Sequence, residues 1–189
     1  MTKQELLKYI RIVLTLCVIT ALVGALLAGV NALTKDRIAE NNIKAMNEAI
    51  AVIFGECETS ELQYPHANET VKSIYTVSSS GEHLGYCVLV TPKGYGGTME
   101  LMVGLNPDGS LKQVSVVSHG ETTGIGTKVL SEGYMSQYIG AESDADVDGV
   151  DAVSGATRST NGLKSGIKAA LSLGLGNTMV TDLDGEVAE

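Results

Sequence analysis

The sequence predicts an α+β protein, with one long apolar N-terminal helix followed by antiparallel strands flanked by helices. Three observations carry that expectation. Residues 12–30 form a run of 19 positions without a charge. From Val71 onward the apolar residues fall into short β-branched runs separated by turn residues. Near Arg158 the spacing becomes helical again, with Leu163, Ile167, Ala170 and Leu171 on one face.

The apolar run continues through Leu33, giving 22 residues. At 1.5 Å per residue these span about 33 Å, enough to cross the hydrocarbon core of a bilayer. A secretory signal is the competing reading, with Val30, Asn31 and Ala32 as a passable cleavage site. Its apolar centre would be only about 7–15 residues long, so an uncleaved anchor is expected. Residues 1–33 are therefore read as a cytoplasmic N-terminus and a transmembrane helix. Lys3, Lys8 and Arg11 precede the span while Lys35, Arg37 and Lys44 follow it, so the positive-inside rule is nearly balanced. Residues 34–189 hold ten basic and 21 acidic groups, which points the domain away from the cytoplasm.

After the span, Ile38, Ile43, Met46, Ile50 and Ile53 recur at helical steps, so residues 34–62 are read as a linker helix ending near Gly55. Residues 63–70 are polar and contain Pro65, as a connector would. Strands are expected over 73–77, 86–90, 98–105 and 111–118. Asn106, Pro107, Asp108 and Gly109 join the last two as a hairpin. A short helical stretch is expected over 128–139 and the final helix over 158–173. The main domain is thus 63–176, with an acidic tail at 177–189.

The chain has 189 residues and a formal charge of −9, from 13 basic and 22 acidic groups. An acidic chain without tryptophan is a poor nucleic-acid partner, because neutralising phosphates needs a basic face. With 44% hydrophobic residues it is not disordered, and with three cysteines it is not a disulfide scaffold. Cys57 and Cys87 could pair outside the cytoplasm, a point the sequence leaves open.

Several motifs compete for attention. Asp144, Asp146, Asp148 and Gly149 begin like a calcium loop, but its twelfth position is Gly155 instead of a bidentate glutamate. An acidic surface turn without metal is expected there. The glycines at 94–97 and 124–126 lack the spacing of nucleotide-binding loops. His66 and His83 lie in polar connectors, and His119 stands in a more crowded polar cluster with Glu121. The segment 151–159, Asp-Ala-Val-Ser-Gly-Ala-Thr-Arg-Ser, lies directly before the final helix. Open backbone N–H groups and the helix dipole favour an anion there. A plain capped helix, with Ser154 or Thr157 as the cap, is the alternative.

The Asp-x-x-Ser-Gly-Ala-Thr-x-Ser pattern of 151–159 resembles the flavinylation motif of the FMN-binding domains in Rnf and Na⁺-pumping quinone-reductase complexes. Ser118 to Gly126 is similar to the family's His-x-Glu-Thr-Pro-Gly-Leu-Gly, with Thr123 in place of Pro and Ile125 in place of Leu. Gly94, Tyr95, Gly96 and Gly97 resemble its Gly-Tyr-Gly-Gly strand entry. The length suits the smaller, Rnf-type member of that family. The resemblance implies an extracytoplasmic FMN-binding domain behind the span, with FMN joined through a phosphoester to Thr157. It implies that Ser154, Gly155 and Ala156 shape the phosphate pocket, and that Tyr95, Glu121, Thr122, Thr123 and Gly124 approach the flavin. Asp151 would serve recognition by a flavin transferase. The implied function is that of a covalent-FMN electron carrier in a membrane complex. Such a complex moves electrons between ferredoxin and NAD, coupled to Na⁺ or H⁺ translocation, with the other Rnf subunits as partners. The alternatives are a stand-alone membrane flavoprotein and, in another class, a pilin-like assembly protein.

Overall fold

A computed structural model describes residues 3–62 and 69–176. Most of the connector expected at 63–70, with His66, and the tail at 177–189 lie outside the described residues. The chain divides into two compact units, Met1–Lys44 and Ala45–Glu189.

The first unit is helical. Helix α1 runs over Lys3–Phe54, so the same helix also enters the second unit. Its segment Arg11–Phe54 contains a window of mean hydropathy 2.6, none of it buried, long and apolar enough to cross a membrane. Thr15, Thr20 and Thr34 turn their hydroxyls onto carbonyls three or four residues back, which satisfies these polar groups within the helix.

The second unit is built on a five-stranded antiparallel meander in the order β1-β2-β3-β4-β5. The strands are β1 (Glu58–Leu62), β2 (Val71–Ser79), β3 (Glu82–Val90), β4 (Met99–Leu105) and β5 (Leu111–His119). From Gly85 to Val90 in β3, and throughout β4 except at Glu100, every residue is buried, on both faces of the sheet. Alternation sorts the side chains into two cores. Val88, Val90, Leu101 and Val103 face helix α4 (Thr157–Leu171), meeting Leu163 and Ile167. Cys87, Leu89 and Met102 face the other way, against Ala49, Ile50 and Ile53 on the last turns of α1. The sheet is thus sandwiched between two helical layers.

Three expectations change. The helix of the 34–62 stretch ends at Phe54, before Gly55 at φ +78°, as its spacing predicts, but the last five residues of the stretch form strand β1. That strand is a polar edge, Glu-Thr-Ser-Glu-Leu, held by backbone pairing of Glu58–Leu62 with β2, so no apolar alternation marks it. The stretch at 128–139 is not one helix. It is a single turn, α2 (Glu132–Met135), between two 3₁₀ turns. The acidic turn at Asp144 is helix α3 (Asp144–Gly149), because Ser143 and Asp146 form a capping box. The Asp146 carboxylate accepts from the backbone N–H of Ser143 at 2.9 Å and of Glu142 at 3.1 Å, which occupies an oxygen a calcium loop would need.

Cys57 and Cys87 carry free thiols and share the cluster beneath α1. Burial pushes the Cys87 thiol up to about 12, with neighbouring Cys57 adding to the shift.

Candidate functional site

The site is assembled at the start of α4. Gly155 adopts φ +79°, a left-handed conformation that costs glycine little, and it turns the chain into the helix. Ala156 is the N-cap and supplies no side-chain hydrogen bond, so neither Ser154 nor Thr157 caps this helix. The Ala156 carbonyl takes the first intrahelical bond, from Thr160 N at 2.9 Å. The amides of the turn before Thr160 therefore face outward at the positive end of the helix dipole.

The four hydroxyls near this turn have different fates. Ser159 and Thr160 are 1% and 0% exposed, and each is already committed. Ser159 donates to Glu121 and Thr160 to the Ala156 carbonyl. Ser154 and Thr157 are exposed.

Glu121 sits at the centre although it lies far from α4 in sequence. Its Oε1 accepts from Tyr95 N at 2.9 Å and Gly96 N at 3.3 Å, and its Oε2 accepts from Ser159 Oγ at 2.6 Å. One carboxylate thus joins the β3–β4 connector, the loop after β5 and the first turn of α4. The fit demands small neighbours. A Cβ on Gly94 would fall on Oε1, and one on Gly126 would fall on Oε2. Behind them, Gly162 of α4 lets the Lys93 carbonyl approach, since a Cβ there would lie 2.7 Å from that oxygen.

Around Glu121 lies a cleft of about 350 Å³ lined by Tyr95, Glu121, Thr122, Ile125, Gly126, Gly155, Ala156, Arg158 and Ser159. Tyr95 and Ile125 are 71% and 53% exposed, so two large apolar side chains stand free at its walls. Of the residues expected at the site, Tyr95, Glu121, Thr122, Gly155 and Ala156 line the cleft. Thr157 does not line it but stands between Ala156 and Arg158, which do. Ser154, Thr123 and Gly124 are exposed and lie outside the lining. The Gly124 N–H is held by Thr127 Oγ1 at 2.9 Å. Asp151 is exposed, and its carbonyl accepts from Tyr134 Oη at 2.7 Å. His119 ends β5 exposed, and His83 packs edge-on against Tyr86.

Ile125, Gly126, Arg158 and Ser159 are cleft residues that the sequence does not single out. All four lie inside the motifs at 118–126 and 151–159, so the signal was present, but only tertiary folding brings the two motifs around one cleft. Ile125 keeps an apolar wall where the family has leucine. Apolar walls, a polar floor and an uncapped helix start side by side suit a ligand that is aromatic at one end and anionic at the other.

This combination of sheet, helix start and cleft defines an FMN-binding domain, and the family of that description matches residues 94–172. The RnfG N-terminal region matches residues 4–53. The chain is 30% identical to the G subunit of the ion-translocating oxidoreductase complex of Methanosarcina acetivorans, over 85% of this chain and 92% of that one. It is 26% identical to the G subunit of the proton-translocating ferredoxin:NAD(+) oxidoreductase complex of Clostridium ljungdahlii, over 78% and 82%. It is 25% identical to the Na(+)-translocating counterpart of Acetobacterium woodii, over 84% and 87%. Among solved structures it is similar to Shewanella oneidensis NqrC, with a TM-score of 0.49 and 24% identity over 68% and 70% of the two chains. The chain belongs to the family of G subunits of ion-translocating oxidoreductase complexes of the Rnf type.

Proposed function

We propose that this chain is the covalent-FMN electron carrier of a membrane-bound ferredoxin:NAD oxidoreductase complex that couples electron transfer to Na⁺ or H⁺ translocation. FMN is joined by its phosphate to Thr157 Oγ1, and a flavin transferase installs it. The observation that carries this reading is the state of the hydroxyls at α4. Thr157, the first residue of α4, offers an exposed hydroxyl beside the open amides, whereas Ser159 and Thr160 are buried and bonded and the exposed Ser154 lies before the helix and its N-cap.

Each residue then has a task. The N-terminal amides of α4 and its dipole stabilise the phosphate on Thr157. Ser154, Gly155 and Ala156 are small and let a bulky group approach. Tyr95, Ile125 and Ala156 provide apolar walls for the ring, while Glu121 and Thr122 present polar atoms to its edge. Thr123 and Gly124 form the turn that sets Thr122 in place. Asp151, exposed before the helix, is the recognition residue for the flavin transferase. When bound, FMN supplies reversible one- and two-electron redox chemistry. The protein's own contribution is to fix the group in place and exclude water from one side.

A covalent tether suits a carrier that faces the outside of the membrane, where free FMN would be lost to dilution. The domain after the span is accordingly placed outside the cytoplasm, in keeping with its acidic charge, with the other Rnf subunits as membrane partners. Full-length protein produced with a flavin transferase should show a flavin-fluorescent band on a denaturing gel. Thr157→Ala should give a folded but dark protein. A dark wild type with active transferase would overturn the reading.

A further inference from the structure

Among the described residues, Glu121 is the one charged side chain that is buried, at 6% exposure, and it lines the cleft. Three donors converge on its two oxygens, the amides of Tyr95 and Gly96 and the Ser159 hydroxyl, an arrangement suited to a carboxylate. The other charged residue of the cleft lining, Arg158, is exposed. Solvent screens an exposed charge over roughly 8 Å at physiological salt, whereas a buried one acts through a medium of lower dielectric. Glu121 thus sets a fixed negative charge in the cleft wall, while the positive end of the α4 dipole serves the phosphate.

Given the flavin placement proposed above, we infer that Glu121 is an electrostatic tuning residue that holds down the flavin's midpoint potential. Uptake of two electrons and one proton turns the neutral oxidised ring into an anion. A fixed negative charge beside it disfavours that product relative to the starting state. The same carboxylate that joins the three loops thus biases the bound carrier toward the reducing end of its range. The donor set explains how such a charge is kept in place, since each oxygen has partners that do not depend on the ligand.

The test is redox titration of the flavin-loaded full-length protein as wild type, Glu121→Gln and Ser159→Ala, followed by visible absorbance. Glu121→Gln keeps the shape and the oxygen facing the two amides while removing the charge. Ser159→Ala keeps the charge and removes one tie between loop and helix. The expected result is a midpoint potential shifted to more positive values in Glu121→Gln and not in Ser159→Ala. An unshifted or more negative potential in Glu121→Gln would overturn the inference. So would a positive shift in Ser159→Ala, because the tie and not the charge would then be responsible. If Glu121→Gln does not fold, the outcome of Ser159→Ala still decides, since a positive shift there contradicts the charge argument. Absence of flavin from the wild type would instead strike at the attachment to Thr157.

Discussion

Ser159 Oγ lies 2.6 Å from Glu121 Oε2, and through this single bond the first turn of α4 is tied to the loop that follows β5. Both side chains are buried, Glu121 at 6% and Ser159 at 1% exposure. Removing one partner of a buried, charge-assisted bond costs about 1.5–3 kcal/mol. Ser159→Ala should lower the stability of the solubilised full chain by that order in urea unfolding. Glu121→Ala should cost more, because it strands the Tyr95 and Gly96 amides as well as the hydroxyl. Equal stability of Ser159→Ala and wild type would show the bond to be dispensable.

The two ends of this bond mark what the sequence could and could not disclose. Each motif is short and contiguous, so 94–97, 118–126 and 151–159 were visible as strings, and α4 lies within two residues of its expected bounds. Their convergence on one carboxylate was not visible, since Glu121 and Ser159 are 38 residues apart and no local period links them. Leu163 and Ile167 announced a packing face because helical spacing is a local property. Strand β1 was missed because a polar edge strand has no pattern beyond its backbone pairing. Ile50 and Ile53 announced a helix without disclosing that its end covers the second face of the sheet.

Glycines around the cleft differ in why they are needed, and substitution should separate the reasons. Gly94→Ala would set a methyl on Glu121 Oε1 and force the buried carboxylate aside, an overpacking cost of about 1–3 kcal/mol. Gly155→Ala meets nothing within 4 Å and pays only for its left-handed backbone, about 1 kcal/mol. Chemical denaturation of the two variants should rank Gly94→Ala as the less stable. The reverse order would show that the Glu121 pocket is looser than described.

Acid should weaken the sheet at Glu100. Burial pushes its carboxyl up, but hydrogen bonds from Lys72 and Ser118 and the Lys72 charge outweigh this and hold it below the ordinary glutamate value. A depressed carboxyl stabilises the fold fully above its ordinary value and loses that contribution as pH falls through the lowered one. The partly exposed Lys72–Glu100 pair, at 3.0 Å, is worth up to about 1 kcal/mol. Wild type should therefore exceed Glu100→Gln in stability at neutral pH, with the gap closing below the ordinary carboxylate value. A gap that widens in acid would reverse the sign of the argument.

Membrane orientation has a direct readout. Protease added to right-side-out vesicles should digest the domain after α1's apolar segment and leave the N-terminus protected. A protected domain would place the carrier in the cytoplasm and remove the reason given for a tether.

Attachment of the flavin to Thr157 is the step on which the other assignments rest. Protein matured with a flavin transferase should be digested and its peptides mapped by mass spectrometry under conditions that preserve phosphoesters. One FMN is expected on the peptide spanning the start of α4, with fragment ions assigning it to Thr157 and leaving Ser154, Ser159 and Thr160 unmodified. FMN on any other residue, or its persistence on that peptide in Thr157→Ala, would contradict the assignment.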